Sequence, residues 1–323
     1  MEEKKLSSQG RDLQDQVYEL LDQQTRHWDL AEKNYKGLEK VQKHWFTFEG
    51  GMRIGVQFNA ERIYSSAAKV DAKSISERKC FLCPAHLPQQ QKWVEFGTDY
   101  LILVNPFPIF PHHLTIPHRE HIDQRIRGRM ADMLGLAKDL HGFEVFYNGP
   151  KCGASAPDHF HFQAGNKGFM PLDSEFAALP KTKVRQHNNC TAWTLDNYLR
   201  QCLVLEGDDE TTLLQWFEQA YDLMDQILPQ DPEPMMNMLV NWDEDRWKIF
   251  IFPRKLHRPW QYFAEGNQQI LLSPASVDFG GVLITPREED HKKMVPSDIQ
   301  DIFSQVTWDK PAFDELVKSF AHS

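Results

Sequence analysis

The chain has 323 residues, of which 41% are hydrophobic, 25% charged and 12% aromatic, and these fractions exclude a wholly disordered, collagen-like or coiled-coil protein. The formal net charge of −10 argues against a nucleic-acid-binding protein, which needs a basic face, but it allows a locally positive pocket for a small anion. No apolar run approaches the roughly 20 residues of a membrane span, and the N-terminus carries no apolar signal stretch, so we expect a cytoplasmic protein without membrane or nucleic-acid partners.

The hydrophobic pattern predicts an N-terminal helical region followed by alternating strands and helices. Apolar residues at helical spacing predict one long helix or two shorter ones over 11–44. Further helices are predicted over 122–141, 211–228, 297–307 and 311–320. Strands are predicted over 52–59, on both sides of the Pro-rich turn within 99–121, and over 143–147, 159–163, 235–240, 247–254, 269–273 and 280–286. Antiparallel strands with helices on one side indicate an α+β class, and the similar endings of 101–117 and 280–286 suggest a duplication.

Two of the five cysteines have a spacing that suggests chemistry. The odd number of cysteines and the missing secretion signal disfavour a disulfide framework. Cys80 and Cys83 form a C-x-x-C pair, which inside a cell is typical of metal or redox sites. A tetrahedral zinc site needs two further ligands, such as histidines. Without them, Cys83 followed by Pro84 fits an ordinary turn.

The segment 147–165, YNGPKCGASAPDHFHFQAG, carries the strongest chemical signal. Side chains alternate along a strand, so His159, His161 and Gln163 are expected on one face, and the two intervening phenylalanines on the other. Small residues in the preceding loop let backbone N–H groups approach an anion. A neutral imidazole beside such a loop suits nucleophilic attack on phosphorus. The alternative is that both histidines are merely hydrogen-bonded strand residues.

The order of residues in this segment closely resembles the galactose-1-phosphate uridylyltransferase branch of the histidine-triad superfamily, which includes diadenosine tetraphosphate phosphorylases and GDP-galactose phosphorylases. The positions on the family pattern are, in order, Asn148, Gly153, Ser155, Pro157, His159, His161 and Gln163. The resemblance implies that His161 is the nucleophile that becomes nucleotidylated and that Gln163 holds the transferred phosphoryl group. Gln163 replaces the third histidine of the triad hydrolases, which favours transfer or phosphorolysis over hydrolysis.

Other segments within about 50–305 share this resemblance and add candidate contacts for the substrate. The stretch 57-QFNAER-62 resembles a nucleotide-facing first strand, which implies contacts from Asn59 and Arg62. The strand before the Pro-rich turn ends in Asn105, as in the family. The full set of substrate-binding candidates is Asn59, Arg62, Asn105, Asn148, Lys151, Gly153, Ser155 and Arg254. Arg254, Lys255 and Arg258 follow a predicted strand and either reach a phosphate tail or belong to a solvated loop.

The resemblance also implies a metal site. Several family members bind zinc through two cysteines, a histidine after the second strand of the pair, and the first histidine of H-x-H. Carried over, these ligands are Cys80, Cys83, His121 and His159, while His118, His112 and His113 remain alternatives for the third. Such a zinc would be structural and would fix loop 80–90 to the catalytic strand.

We therefore expect a histidine-triad-like α+β chain, a pseudo-dimer of two related halves with antiparallel sheets and flanking helices. The expected parts are an N-terminal helical extension over 1–48, a catalytic half over 49–200 and a second half over 201–323. The expected enzyme is a nucleotidyltransferase or phosphorylase, a monomer or homodimer, that acts on a nucleoside diphosphate sugar or dinucleoside polyphosphate through a nucleotidyl-histidine. A hydrolase of the same superfamily and a non-catalytic nucleotide- or zinc-binding protein are the alternatives.

Overall fold

A ten-stranded antiparallel sheet dominates the computed structural model, which describes residues 11–59 and 72–323. The strands are β1 Gln42–Thr47, β2 Arg53–Phe58, β3 Trp93–Phe96, β4 Tyr100–Val104, β5 His113–Pro117, β6 Phe143–Asn148, β7 His161–Asn166, β8 Lys181–His187, β9 Cys190–Leu195, β10 Leu203–Gly207, β11 Met236–Asp243, β12 Arg246–Pro253 and β13 Val282–Thr285. The large sheet has the order β3-β4-β5-β7-β6-β11-β12-β10-β9-β8. A small sheet has the order β1-β2-β13, and β13 runs parallel to β2.

The helices of the described residues vary from one turn to five. They are α1 Leu13–His27, α2 Asp29–Gly37, α3 Ala72–Glu77, α4 Met130–Asp139, α5 Pro171–Glu175, α6 Glu210–Ile227, α7 Trp260–Phe263, α8 Ser276–Gly280, α9 Glu288–Lys293, α10 Pro296–Val306 and α11 Lys310–His322. Short 3₁₀ turns connect some of them. Within the described ranges, we find no helix whose length and apolar character would suffice to cross a bilayer.

The two halves of the chain meet at the centre of the large sheet. Five neighbouring strands lie on each side of this junction, where β6 of the first half pairs antiparallel with β11 of the second, with Asn148 opposite Asn237. The strands β8 and β9 lie on the β11 side, although they precede residue 200. The expected α+β architecture with two halves, antiparallel sheets and flanking helices is confirmed. One expected detail is wrong, because the segments 101–117 and 280–286 do not occupy equivalent places: the first lies in the large sheet, whereas β13 lies in the small one.

Both faces of the large sheet are covered, in contrast to the expectation that the helices lie on one side. On β6, Val145 and Tyr147 point into a core shared with α1, α4, α6 and α11, whereas Phe146 points into a second core that includes α10 and the small sheet. This double coverage explains why every residue of β6 is buried and why the strand lacks a simple alternation of polar and apolar residues.

The predicted elements differ from the structure in three places. The N-terminal region forms the two shorter helices that the sequence allowed, with a break at Trp28, but its last predicted residues lie in β1 instead. The first part of 122–141 is not helical: the carbonyl of Ile122 accepts from the N–H of Phe160, the N–H of Gln124 donates to the carbonyl of Pro157, and the helix begins only at Met130. The segment 269–273 is not a strand, because its N–H groups donate to the carboxylate of Asp290 and to the carbonyls of Gln261 and Ile270 instead of to a neighbouring strand.

A buried acid interrupts the apolar surface of β6. Glu144 is fully buried opposite Gly165, and neither of its carboxyl oxygens has a hydrogen-bond partner among the described residues. Burial, followed by the negative charge of Asp173, raises the pKa of Glu144 well above its ordinary value of 4.5, while Lys167 lowers it in part. The folded protein therefore holds Glu144 in its protonated form at a pH where the unfolded chain has ionised it.

We predict that Glu144→Gln flattens the pH dependence of stability. The contribution of Glu144 is complete below the unfolded-state pKa of 4.5, and it decreases as pH rises, by up to roughly 1.4 kcal/mol per pH unit until the folded-state pKa is reached. In urea unfolding, the free energy of unfolding of Glu144→Gln should increase relative to that of the wild type as pH rises above about 5. The exposed control Glu315→Gln should follow the wild type. A Glu144→Gln curve parallel to the wild-type curve would contradict a buried neutral acid.

Candidate active site

A cavity of about 440 Å³ lies where β5, β6 and β7 meet residues of the second half, and its volume suits a small-molecule ligand. His161 and Gln163 line it, together with Asn148 and the loop Gly153–Ser155. A largely apolar part of the wall consists of Trp28, Leu30, Phe81, Leu82, Leu87, Leu103 and Phe107. The second half contributes His257, Arg258, Tyr262, Leu271, Ser273, Ala275, Val277, Asp278 and Ile284.

One ring nitrogen of His161 is hydrogen-bonded, and the other has no hydrogen-bond partner among the described residues. Its Nδ1 lies 2.9 Å from the carbonyl oxygen of His159, which can only accept, so Nδ1 carries the hydrogen and Nε2 keeps its lone pair. Burial lowers the pKa of His161 to about 4. The ring is therefore neutral near pH 7, in the form in which imidazole is a nucleophile.

Gln163 is oriented by a second histidine. The main-chain N–H of Ile109 donates to Nδ1 of His113 at 3.2 Å, so the hydrogen of His113 is on Nε2, which lies 3.0 Å from Oε1 of Gln163. Because Oε1 accepts this hydrogen bond, the amide NH₂ of Gln163 is left to donate into the cavity. In this orientation, the amide NH₂ of Gln163 can donate to a phosphate oxygen of a ligand.

Gln124 fixes the strand ends that carry the site. Its Oε1 accepts from the main-chain N–H of His161 at 2.8 Å, and its Nε2 donates to the carbonyls of His161 and Asn148, both at 3.0 Å. The side chain is fully buried. One amide therefore ties β6 and β7 together at the level of His161, which restricts the movement of the ring.

Asn148 is held by the second half of the chain. Its Oδ1 accepts from Nδ2 of Asn237 and from the N–H of Ser276, both at 2.8 Å, so its amide NH₂ remains available to the cavity. Asn237 also donates to the carbonyl of Cys152 in the small-residue loop at 2.8 Å, and its Oδ1 accepts from the buried guanidinium of Arg254. The second half thus orients both a side chain and a loop of the first.

The loop needs glycine at position 153. Gly153 has a φ of +95°, and a Cβ there would lie 2.6 Å from the Cβ of Ala275. Any other residue would meet both backbone strain and a steric clash. The close approach to Ala275 brings the loop against the second half at the cavity wall.

A four-residue cluster capable of binding a metal ion lies beside the cavity. It consists of Cys80, Cys83, His121 and His159, and its donor atoms all lie within 4.8 Å of one another. Sγ of Cys80 is 3.3 Å from Nδ1 of His159, and Sγ of Cys83 is 3.2 Å from Nδ1 of His121. Tetrahedral zinc bonds of about 2.3 Å to sulfur and about 2.0–2.1 Å to nitrogen would separate S and N by roughly 3.5 Å. The donor set therefore fits such an ion.

The surroundings of the cluster also suit metal binding. Nε2 of His159 lies 2.7 Å from the carbonyl oxygen of His118, so it carries the hydrogen and Nδ1 is free to coordinate. Nε2 of His121 lies 3.7 Å from the carboxylate of Asp158. Burial and the nearby Cys80 sulfur raise the pKa of Cys83 to about 11, an effect that a bound dication would reverse because thiolate is the coordinating form.

The predicted site residues fall into three groups. His161, Gln163, Asn105, Asn148, Gly153 and Ser155 line one cavity, and His159 instead belongs to the metal-binding cluster. Three further candidates do not line the cavity. Asn59 is buried and donates to the carbonyl of Pro108, and Arg254 is also buried. Lys151 is exposed. Arg62 lies outside the described residues. Of the alternatives for the third metal ligand, His121 is the one in the cluster.

Sequence analysis missed several residues that shape the site. Gln124, Asn237 and Ser276 are single polar residues without a motif, and only their burial reveals their hydrogen bonds. The histidine at position 113 was considered as a metal ligand, whereas it contacts Gln163. The one available signal was an isolated asparagine at position 237 within an otherwise apolar strand.

Two family models match consecutive parts of the chain. Residues 20–166 match a family model described as a domain of unknown function, DUF4922, and residues 175–322 match one described as GDPGP1-like, C-terminal domain. No curated protein matches the chain significantly.

Two solved structures are similar to the chain. Yeast Ap4A phosphorylase Apa2 shares 16% sequence identity with a TM-score of 0.58, over 87% of this chain and 96% of that one. A DUF4931 family protein from Bacillus cereus shares 16% identity over 53% of this chain and 89% of that one, with a TM-score of 0.37. The GDPGP1-like match over 175–322 and the two-half fold shared with the yeast phosphorylase support the resemblance to the galactose-1-phosphate uridylyltransferase branch of the histidine-triad superfamily.

Proposed function

We propose that the chain is a nucleotidyltransferase or phosphorylase that acts on a nucleoside diphosphate sugar or a dinucleoside polyphosphate through a nucleotidyl-histidine at His161. The observation that supports this most is the ring of His161, which lines the cavity with Nδ1 bonded to a carbonyl and Nε2 free. The name of the yeast relative, an Ap4A phosphorylase, supports a polyphosphate-linked nucleotide as substrate.

In the first half-reaction, Nε2 of His161 attacks the α-phosphorus of the substrate. A P–N bond forms, the P–O bond to the leaving group breaks, and its electron pair stays on the departing oxygen. The Gln163 amide and the N–H groups of the loop Gly153–Ser155 donate to the non-bridging phosphate oxygens. These donors are fixed before the substrate arrives, so they stabilise the developing charge with little reorganisation.

In the second half-reaction, an acceptor attacks the same phosphorus from the side that the leaving group has vacated. Inorganic phosphate or a phosphate ester forms the new P–O bond, and the electron pair of the P–N bond returns to His161. The enzyme recovers a neutral ring, so no separate step is needed to restore the nucleophile. Water as the acceptor would make the protein a hydrolase.

We also propose that the cluster of Cys80, Cys83, His121 and His159 holds a structural zinc ion. Zinc would supply charge that keeps both thiols ionised and would link the loop around Cys80 to the start of β7. His159 would then serve as a ligand and as a positioning residue, since its carbonyl orients the ring of His161. The catalytic half over 49–200 would supply the nucleophile and all four metal ligands.

We predict that His161→Asn abolishes nucleotide turnover, with a loss of at least about 10³-fold in kcat, because no other group replaces the nucleophile. The assay is a panel of dinucleoside polyphosphates and nucleoside diphosphate sugars with and without phosphate. Wild type incubated with α-labelled substrate and no acceptor should carry an acid-labile label that His161→Asn lacks. The exposed control His187→Asn should behave as wild type.

Three other outcomes of this experiment would each change a different part of the proposal. Turnover without a labelled adduct, or an active His161→Asn protein, would contradict the covalent route. Equal rates with and without phosphate would identify a hydrolase. A wild type that is inert on the whole panel would contradict the proposed function.

We predict that protein purified without added metal contains about one zinc per chain and that Cys80→Ser loses it. Elemental analysis by mass spectrometry measures the content, and thermal unfolding should show a lower Tm for the variant because metal binding contributes to folding. His86→Gln, in the same loop, is the matched control, and His118→Gln tests the alternative ligand. Full zinc content in Cys80→Ser would contradict the proposed ligand set.

A further inference from the structure

The cavity carries little positive charge for a proposed polyanion site, and one residue supplies that charge. Arg258 is the single lysine or arginine that lines the cavity in the part of the chain that the structure describes. The carboxylate of Asp278, also in the wall, already accepts from the N–H groups of Ala275 and Ile284 at 2.8 and 3.1 Å. Burial lowers the pKa of His257 to about 4, so this ring is neutral.

The guanidinium of Arg258 is positioned by two other cavity residues. Its Nε donates to Oγ of Ser273 at 3.1 Å, and its carbon lies 4.1 Å from the centre of the Tyr262 ring, as in a cation–π contact. Over residues 11–59 and 72–323, neither Nη atom donates to an acceptor. The four N–H groups on the two Nη atoms are therefore available to a ligand, while the hydrogen bond from Nε holds the guanidinium in place.

Arg254, the cation that the sequence favoured, has a different role. Its Nη2 donates to the carbonyls of Leu256 and His257 at 3.0 and 3.1 Å, and its Nε donates to the carbonyl of Val306 at 3.1 Å. Its hydrogen bonds are thus used within the protein. Since Leu256 and His257 immediately precede Arg258, Arg254 fixes the turn that presents Arg258 to the cavity.

We infer that Arg258 binds the phosphate group that is not transferred, so that the cavity selects substrates with two or more linked phosphates. The inference rests on the proposed function. When the P–O bond breaks in the first half-reaction, the bridging oxygen leaves with its electron pair as part of a phosphate, and the paired N–H groups of Arg258 bind that anion. The same place receives inorganic phosphate when phosphate is the acceptor. His161 and the loop at Gly153 bind the transferred phosphoryl group, so the two phosphates have separate sites.

The first test compares leaving groups. Arg258→Gln should lower kcat/KM by about 10- to 100-fold on diadenosine tetraphosphate or a GDP-hexose. On a nucleoside 5′-(4-nitrophenyl phosphate), whose leaving group has no phosphate, the loss should stay below about threefold. Arg258→Lys should recover part of the activity, because it restores the charge without the paired donors. The neighbouring control Lys255→Gln should match the wild type. Equal losses on both substrate types, or no loss on either, would overturn the inference.

The second test needs no turnover. Calorimetry compares the Kd of wild type and Arg258→Gln for ADP and GDP with the Kd for AMP and GMP. The wild type should prefer the diphosphates, and Arg258→Gln should reduce this preference by about tenfold or more. An unchanged ratio in the variant would overturn the inference. If the wild type turns over no nucleotide but the variant loses the preference, the phosphate site at Arg258 stands while the proposed function fails.

Discussion

The register between β6 and β11 is the constraint on which the site depends. It places Asn148 directly opposite Asn237 at the seam between the two halves. Side chains alternate along a strand, so a slip of one residue would turn Asn148 away from the cavity and put Tyr147 in its place. The same slip would separate Asn237 from the carbonyl of Cys152, and the small-residue loop would lose its attachment to the second half. Apolar residues on both faces of β6 make such a slip costly, because the whole strand is buried.

The seam also explains the role of a second half that has no H-x-H-x-Q segment of its own. Burying the Arg254 guanidinium would be strongly unfavourable without partners, and its hydrogen bonds to Asn237 and to four main-chain carbonyls compensate for the lost water. The result is a rigid polar connection that passes from β12 through Asn237 to Asn148. One half supplies His161, the proposed nucleophile, and the other half fixes the groups around it.

The motif-bearing part of the site could be predicted from sequence because its residues are close in the chain. His161 and Gln163 are two positions apart on a strand, and the strand geometry alone brings both to one cavity. His159 was expected on the same face. However, β7 begins only at His161, and the side chain of His159 contacts the sulfur of Cys80 instead of lining the cavity. The four metal-binding candidates were gathered by family resemblance, since Cys80 and His159 are separated by most of the first half.

Residues that act through tertiary contacts could not be predicted in this way. Arg254 and Arg258 carry the same charge just beyond the same strand, and only the packing of the turn decides that one is buried and the other faces the cavity. Gln124 lies in a segment whose apolar spacing predicted a helix, whereas the structure has no helix before Met130 and the Gln124 side chain bonds to β6 and β7. The polar strand β8, Lys181–His187, lacked a hydrophobic signal because it is an edge strand with mostly accessible side chains.

The candidate metal cluster and the proposed nucleophile, His161, share one short piece of backbone. The imidazole of His159 lies among the cysteine sulfurs, while its carbonyl accepts the Nδ1 hydrogen of His161. An ion held by the cluster would fix the position of His159, and this carbonyl in turn determines which nitrogen of His161 carries the hydrogen. If the carbonyl moved, Nε2 could acquire the hydrogen and the ring would no longer present a lone pair to phosphorus. A structural metal would thus influence the chemistry through a tautomer, without touching the substrate.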